Sequence, residues 1–240
     1  MKKAILIVLT NISALCCYSQ AYRTQTVEEA FFQMGDYITA VPFYGARLQS
    51  KQGPPQRAVY FPIDKWEGKI KANTWLDWHL TKPTGNIPDR YYINRRFNPS
   101  TGDYLAGMIY GLHPALSCTF FITATKSGDY IDAIETSFSF TDQAHKGNVF
   151  LKQFIITADM NLIIYHIKPE TNRDIDITDY NPSSFRGTRT DITYQIGSNG
   201  KIKKVKEVIY KPATYTLEYL SDQDKNIWEG KEEIETTKIF

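Results

Sequence analysis

The residues that could do chemistry are few and scattered. The chain holds four histidines, His79, His113, His145 and His166. None stands two to four residues from another histidine or a cysteine, so no zinc pattern of the CxxC or HExxH kind exists. His79 follows Asp77 by two residues and sits beside Trp78. If residues 75–80 form a strand, Asp77 and His79 share a face, where a carboxylate can orient an imidazole for general-base work. The same pair equally suits an exposed polar face opposite Leu76 and Trp78. His166 lies in the apolar run Tyr165-His166-Ile167 and reads as a satisfied sheet histidine, and His145 lies in a polar loop with Lys146 and Gly147. Nucleophile and phosphate motifs are missing: there is no GxSxG, GxGxxG or P-loop. No cofactor is therefore expected. Cys118 alternates with Phe120, Ile122 and Ala124, which predicts packing rather than attack.

Two further constellations carry a ligand reading. Asn172, Asp174, Asp176 and Asp179 place oxygen ligands at near-alternating positions, as a hard cation such as Ca²⁺ requires. The EF-hand pattern fails, because Ile177 replaces the turn glycine and Ser183 the bidentate glutamate. Arg173 would also repel the ion, so a solvated polar loop is the favoured reading. Trp66, Trp75, Trp78, Tyr91 and Tyr92 could form an aromatic platform for sugar rings or cations, with Arg90, Arg95 and Arg96 nearby to recognise carboxylate or sulfate groups. The competing reading is that these aromatics fill a β core. Lys201, Lys203, Lys204, Lys206 and Lys211 crowd one strand region and read as guards of an edge strand.

The elements that must position these residues follow from the rest of the chain. Residues 1–21 carry Lys2 and Lys3, then apolar runs over 4–9 and 12–17, then Ser19-Gln20-Ala21. That order predicts a secretory signal peptide cleaved near Ala21. The apolar stretch is too short to span a membrane, and Asn11 interrupts it. A lipid anchor on Cys16 or Cys17 is disfavoured, because neither follows the small residue that a lipobox needs. The precursor has 28 basic and 26 acidic residues and 3 cysteines. Without its leader it carries 26 of each charge and only Cys118. A neutral chain with one thiol excludes bulk attraction to nucleic acid and an internal disulfide.

The mature part, 22–240, reads as a single β-rich domain: helix and loop over 22–58, an aromatic turn-rich segment over 59–102, and antiparallel strands over 103–240. Thr26 and Glu29 fit a capping box ahead of Ala30, Phe31 and Met34, and Gly35 ends that helix. Strands are predicted over 103–112, 117–126, 130–140, 148–157, 161–168, 190–197, 201–210, 213–220 and 232–240. The 148–157 and 161–168 pair is nearly continuous in apolar residues and belongs at the sheet centre. Asn199-Gly200 suits a type I′ turn. Ile192, Tyr194 and Ile196 alternate with Asp191, Thr193 and Gln195, which predicts one wet face. Gly-Asp-Tyr occurs at 35–37, 102–104 and 128–130, and Trp-Glu-Gly-Lys at 66–69 and 228–231. Their spacing fits no repeat, so both read as turn chemistry. The expected fold is mostly β, an antiparallel meander with one N-terminal helix, as a sandwich, a barrel or a curved open sheet.

The leader, the aromatic-proline segment and the Lys-Ser-Gly-Asp-Tyr-Ile-Asp hairpin followed by Gln-Phe-Ile-Ile-Thr-Ala-Asp-Met-Asn-Leu-Ile-Ile-Tyr resemble small exported β-rich proteins of unknown function from gut-type Gram-negative bacteria. The similarity covers about a fifth of the chain and brings no catalytic residue with it. The expected function is a non-enzymatic binding or accessory module of the cell envelope, with a glycan or a protein as ligand. The alternatives are a hydrolase whose site is assembled from distant residues, with Asp77 and His79 as candidates, and a structural envelope protein.

Overall fold

The computed structural model describes residues 26–35, 38–45, 58–66, 69–70, 90–99, 102–113, 116–142, 147–170, 184–222 and 226–240. The segment 1–21 predicted as a leader, the Asp77–His79 pair, Trp75, Trp78, His145 and the acidic stretch with Asp174, Asp176 and Asp179 lie outside these residues.

Helix α1, Val27–Gln33, forms as its capping box predicts. The Thr26 hydroxyl accepts from the Glu29 N–H at 3.1 Å, and the Glu29 carboxylate accepts from the Thr26 N–H at 2.7 Å. Two of the four orphan donors of the first turn are thereby satisfied. Gly35 ends the helix at φ +59, a conformation that costs glycine little. Val27, Ala30, Phe31 and Met34 are buried.

The strands follow as β1 Phe43–Tyr44, β2 Val59–Phe61, β3 Arg90–Phe97, β4 Leu105–His113, β5 Leu116–Ala124, β6 Tyr130–Asp142, β7 Gly147–Ile156, β8 Leu162–Pro169, β9 Ser184–Ile196, β10 Ile202–Tyr210, β11 Ala213–Thr216 and β12 Ile234–Ile239. From β2 to β10 each strand pairs antiparallel with the next, and β12 then closes the order beside β10. The protein is thus a mostly β antiparallel meander, as the sequence predicts, and it does not close into a barrel. β7 and β8 lie in the interior of the order.

Three hairpin tips at one end of the sheet share one construction. Thr125, Thr157 and Gly197 each accept from an N–H three residues on, from Gly128, Met160 and Gly200 at 2.9 Å. Those three acceptors' partners all have positive φ, at +86, +59 and +79. Each tip is a type I turn closed by a left-handed residue, the three-residue loop of a G1 bulge. Asn199 keeps negative φ, so the type I′ reading of Asn199-Gly200 is corrected. The Gly197–Lys201 bond at 2.9 Å leaves three residues in the loop, and a type I′ turn holds two.

The ladder bends between β6 and β7. These strands pair only over Phe138–Asp142 and Gly147–Lys152, after which they diverge and split the sheet into two antiparallel halves. Both vacated edges are covered. β1 pairs with β7 at Phe43↔Ile156 and Tyr44↔Ile155. The β9–β10 hairpin sits against β5 and β6, with the Thr123 hydroxyl donating to the Gly200 carbonyl at 2.7 Å and the Ile202 N–H donating to Asp132 at 3.0 Å. Phe97, Phe121, Phe154, Ile156, Leu162 and Ile164 form one apolar cluster on that side. The other cluster gathers α1, Phe61, Trp66, Ile93, Phe120, Ile122 and Ile167. Full burial of each such side chain contributes about 1.5–3 kcal/mol.

Two segments depart from the sequence reading. The predicted strand over 213–220 stops at Thr216, whose hydroxyl caps the short helix α2, Leu217–Ser221, by accepting from the Tyr219 N–H at 3.1 Å. Leu217 and Leu220 turn into the core at helical spacing, which outweighs the β tendency of Thr214-Tyr215-Thr216. The lysine-rich β10 is also not an edge, because it pairs with both β9 and β12. Three of the five lysines of this region are engaged: Lys204 meets Glu207, Lys211 meets Glu233 and Lys201 donates to the Ile131 carbonyl, each at 2.6 Å.

Candidate functional site

The aromatic platform does not assemble as the sequence suggests. Trp66 ends a 3-10 turn over Ile63–Trp66 and is buried between Phe61 and Tyr130, with its indole N–H donating to the Gly128 carbonyl at 3.3 Å. Tyr91 is buried against Phe120. Arg95 is buried with its guanidinium over the Phe43 ring at 5.4 Å. These three residues are core, and their binding role is corrected on that ground. Period two hides this outcome, since Trp66 lies in a turn and its neighbours arrive from β2 and β6. Tyr92 does join a cross-strand row, Tyr60–Tyr92–Tyr110. Its ring stacks on Tyr110 at 5.5 Å and meets Tyr60 edge to face at 6.3 Å. The rings engage one another, which withholds from a ligand the faces it would stack on.

Reactive side chains in and beside the cluster that holds α1 are insulated. Cys118 is buried, and burial together with the nearby Glu135 charge pushes its thiol up to about 12. A thiol so protonated is a poor nucleophile at neutral pH. Lys152 donates to Glu135 at 2.7 Å at the point where β6 and β7 diverge, and both side chains are buried. His166 is the register partner of Lys152. Burial, then Lys152 and Lys168, holds its imidazole well below the ordinary 6.5. The native state therefore keeps His166 neutral while the unfolded chain takes up a proton as pH falls below about 6.5. Acidification from pH 7 to pH 5 is expected to lower stability by up to about 1.4 kcal/mol per pH unit through this residue. Urea melts of wild type and His166→Gln across that range check it: the slope attributable to residue 166 vanishes in the variant. Among the described residues no group of three His, Cys, Asp or Glu is placed to hold a metal ion.

The open site lies elsewhere. The β10–β12 ladder ends at Tyr210↔Ile234 and at the Lys211 N–H bond to the Glu233 carbonyl, 2.8 Å. Beyond that point β11 and residues 229–232 flank a shallow, open cleft of about 510 Å³. Tyr215, Thr216, Tyr219, Glu229, Lys231 and Glu232 line it. The Tyr215 hydroxyl donates to Glu232 at 2.9 Å across the base. The other Glu232 oxygen accepts from Arg189 at 3.1 Å. Arg189 in turn grips Asp191 with two parallel bonds of 2.8 and 2.7 Å, and the Tyr210 hydroxyl donates to the same carboxylate at 2.8 Å. The side chains of Arg189, Asp191 and Glu232 are 3%, 12% and 9% exposed. Glu229 is held by the Asn226 amide at 2.6 Å. A Cβ at Gly230 would overlap the Glu232 carboxylate, so glycine there makes room for it.

One guanidinium thus faces two carboxylates, and the group carries one excess negative charge. Burial opposes the Arg189 charge, but the Asp191 bond and the charges of Asp191 and Glu232 outweigh it and hold the guanidinium protonated beyond its ordinary range. Burial and the Asp191 bond push Tyr210 up to about 12, while burial and Glu232 raise Tyr215 further. Both phenols remain donors at any physiological pH. The expected wet face of β9 fails at Asp191 for this reason, since its carboxylate turns into the Arg189 fork. Sequence reading missed this cluster because Glu232 and Tyr215 reach it from separate segments. One signal was present: Arg189 and Asp191 are two apart on a strand and so share a face. The second Trp-Glu-Gly-Lys echo was another, for Glu229, Gly230 and Lys231 line the cleft while Trp228 packs on Tyr165 at 4.9 Å.

No family model, curated protein or solved structure matches the chain. The site's chemistry must carry the reading. Among the described residues no helix is long and apolar enough to cross a membrane.

Proposed function

We propose that this chain is an exported protein of the cell envelope that binds a glycan in the cleft between β11 and residues 229–232. The observation that carries the reading is the cleft's lining, where the half-buried Tyr219 and the exposed Glu229 stand beside the largely buried Tyr215–Glu232 pair in about 510 Å³. Sugar hydroxyls donate to carboxylates, and the C–H face of a pyranose packs on an aromatic ring. The volume suits a small ligand or one end of a chain. Arg189 and Tyr215 fix Glu232, so little side-chain freedom is lost when a ligand binds. The leader over residues 1–21 supports export, where such ligands are found.

The pair of carboxylates also fits hydrolysis of a glycosidic bond. Binding is preferred because both oxygens of Glu232 already accept from positive or phenolic donors, which leaves it an acceptor with no proton to give. A glycan-array screen of the 22–240 chain, followed by calorimetry, tests the proposal. Retention of glycans without turnover is expected, with Tyr219→Ala and Glu229→Gln each weakening binding about tenfold or more, which is about 1.4 kcal/mol. Release of new reducing ends, abolished by Glu229→Gln, would establish the hydrolase in its place. No retention at all would leave the envelope role structural.

A further inference from the structure

We propose that β12 is a self-association edge, through which two copies of this chain pair antiparallel about a two-fold axis at Thr237. The backbone directions set this out. β10 holds β12 through Glu207↔Lys238 and Ile209↔Thr236, and the Phe240 N–H donates to the Val205 carbonyl at 3.0 Å. Backbone groups alternate sides along a strand, so Thr236, Lys238 and Phe240 point to β10 while Thr237 and Ile239 point outward. Among the described residues β12 has no second neighbour. An antiparallel pair with two-fold symmetry sets one residue opposite its own copy, and Thr237 is the outward residue nearest the strand's middle.

The side chains identify a second copy as the occupant. Ile234, Ile239 and Phe240 are 59%, 75% and 56% exposed, a concentration of apolar surface on one edge. The charges along the edge are divided by sign. Glu235 stands at its start beside Glu233, which Lys211 already holds, while Lys238, which also reaches Glu207 at 3.6 Å, stands near its end with Lys206 beside Ile239. Antiparallel pairing lays the acidic start of each strand along the basic end of the other, whereas parallel pairing sets like on like. The bulge at Glu235, between the Ile209↔Thr236 and Tyr210↔Ile234 pairs, limits the regular stretch. The contact is therefore small and the dimer weak and concentration-dependent.

Sedimentation equilibrium of the 22–240 chain from about 1 to 500 μM tests this, a range that brackets weak association. The mass is expected to rise from one chain to two and stop there, because a two-fold contact is closed. Thr237→Pro removes an N–H that points away from β10, so the fold and melting curve persist while association weakens by about tenfold or more. Glu235→Lys sets a positive charge along the basic end of the partner strand and is expected to weaken association similarly, and Glu235→Lys with Lys238→Glu restores it. A monomer at every concentration overturns the proposal, as does growth beyond two chains. A dimer that ignores both Thr237→Pro and Glu235→Lys overturns it too.

Discussion

Arg189→Met is expected to cost the protein about 3–5 kcal/mol, the scale for removing one member of a buried charged group. Two largely buried carboxylates, Asp191 and Glu232, lose their common counter-charge. The guanidinium also lies over the Tyr210 ring at 4.5 Å and over Tyr165 at 5.7 Å, contacts that methionine replaces only in part. For a chain of this length the loss corresponds to a melting point lower by about 10 °C. Arg189→Lys falls between the two, because an ammonium keeps the charge and loses the fork that matches Asp191. Arg186→Ala is the control. Its pair with Glu170 at 3.0 Å is largely exposed, so less than about 1 kcal/mol is expected there. Urea unfolding of the three variants measures the series. Since Arg189 also holds the Glu232 wall of the cleft, glycan affinity should fall in Arg189→Met and persist in Arg186→Ala.

The second large effect sits where the sheet bends. Lys152 is the last β7 residue in register with β6, and its ammonium reaches back to Glu135 across the opening. Lys152→Met is expected to cost about 3–5 kcal/mol, since the carboxylate keeps its burial and loses the ammonium. Glu135→Leu is expected to cost a similar amount. The double variant should return to within about 1 kcal/mol of wild type, because desolvation of both charges disappears with their attraction. Denaturant melts of the four proteins give the coupling energy directly. Additive losses would show that Lys152 and Glu135 act through other neighbours.

Much of the fold is written locally, and the residues that show it are those with local partners. Thr26 and Glu29 bond within one turn. The β7 and β8 runs are apolar on both faces because both faces are covered. Met160 closes a hairpin in the left-handed region although it is not glycine, and the register Ile156↔Leu162 fixes that turn more firmly than the residue's own preference. Where the reading failed, the deciding partner is remote. Trp66 is core because Tyr130 and Gly128 arrive over it, and Asp191 is dry because Arg189, Tyr210 and the cleft wall enclose it. The cleft itself depends on β11 parting from residues 229–232, a separation that no periodicity within either segment records. Thr216 was the local clue, since a threonine ahead of Leu217 and Leu220 is a helix cap as well as a strand residue.

The central claim is that the cleft between β11 and residues 229–232 is where a glycan binds. The most direct measurement is backbone amide chemical-shift mapping of the 22–240 chain titrated with the best glycan from the array. The account predicts saturable shifts concentrated at Thr214, Tyr215, Tyr219 and residues 229–232, and their loss in Tyr219→Ala. Saturable shifts centred instead on the Tyr60–Tyr92–Tyr110 row, with the cleft unmoved, would contradict it.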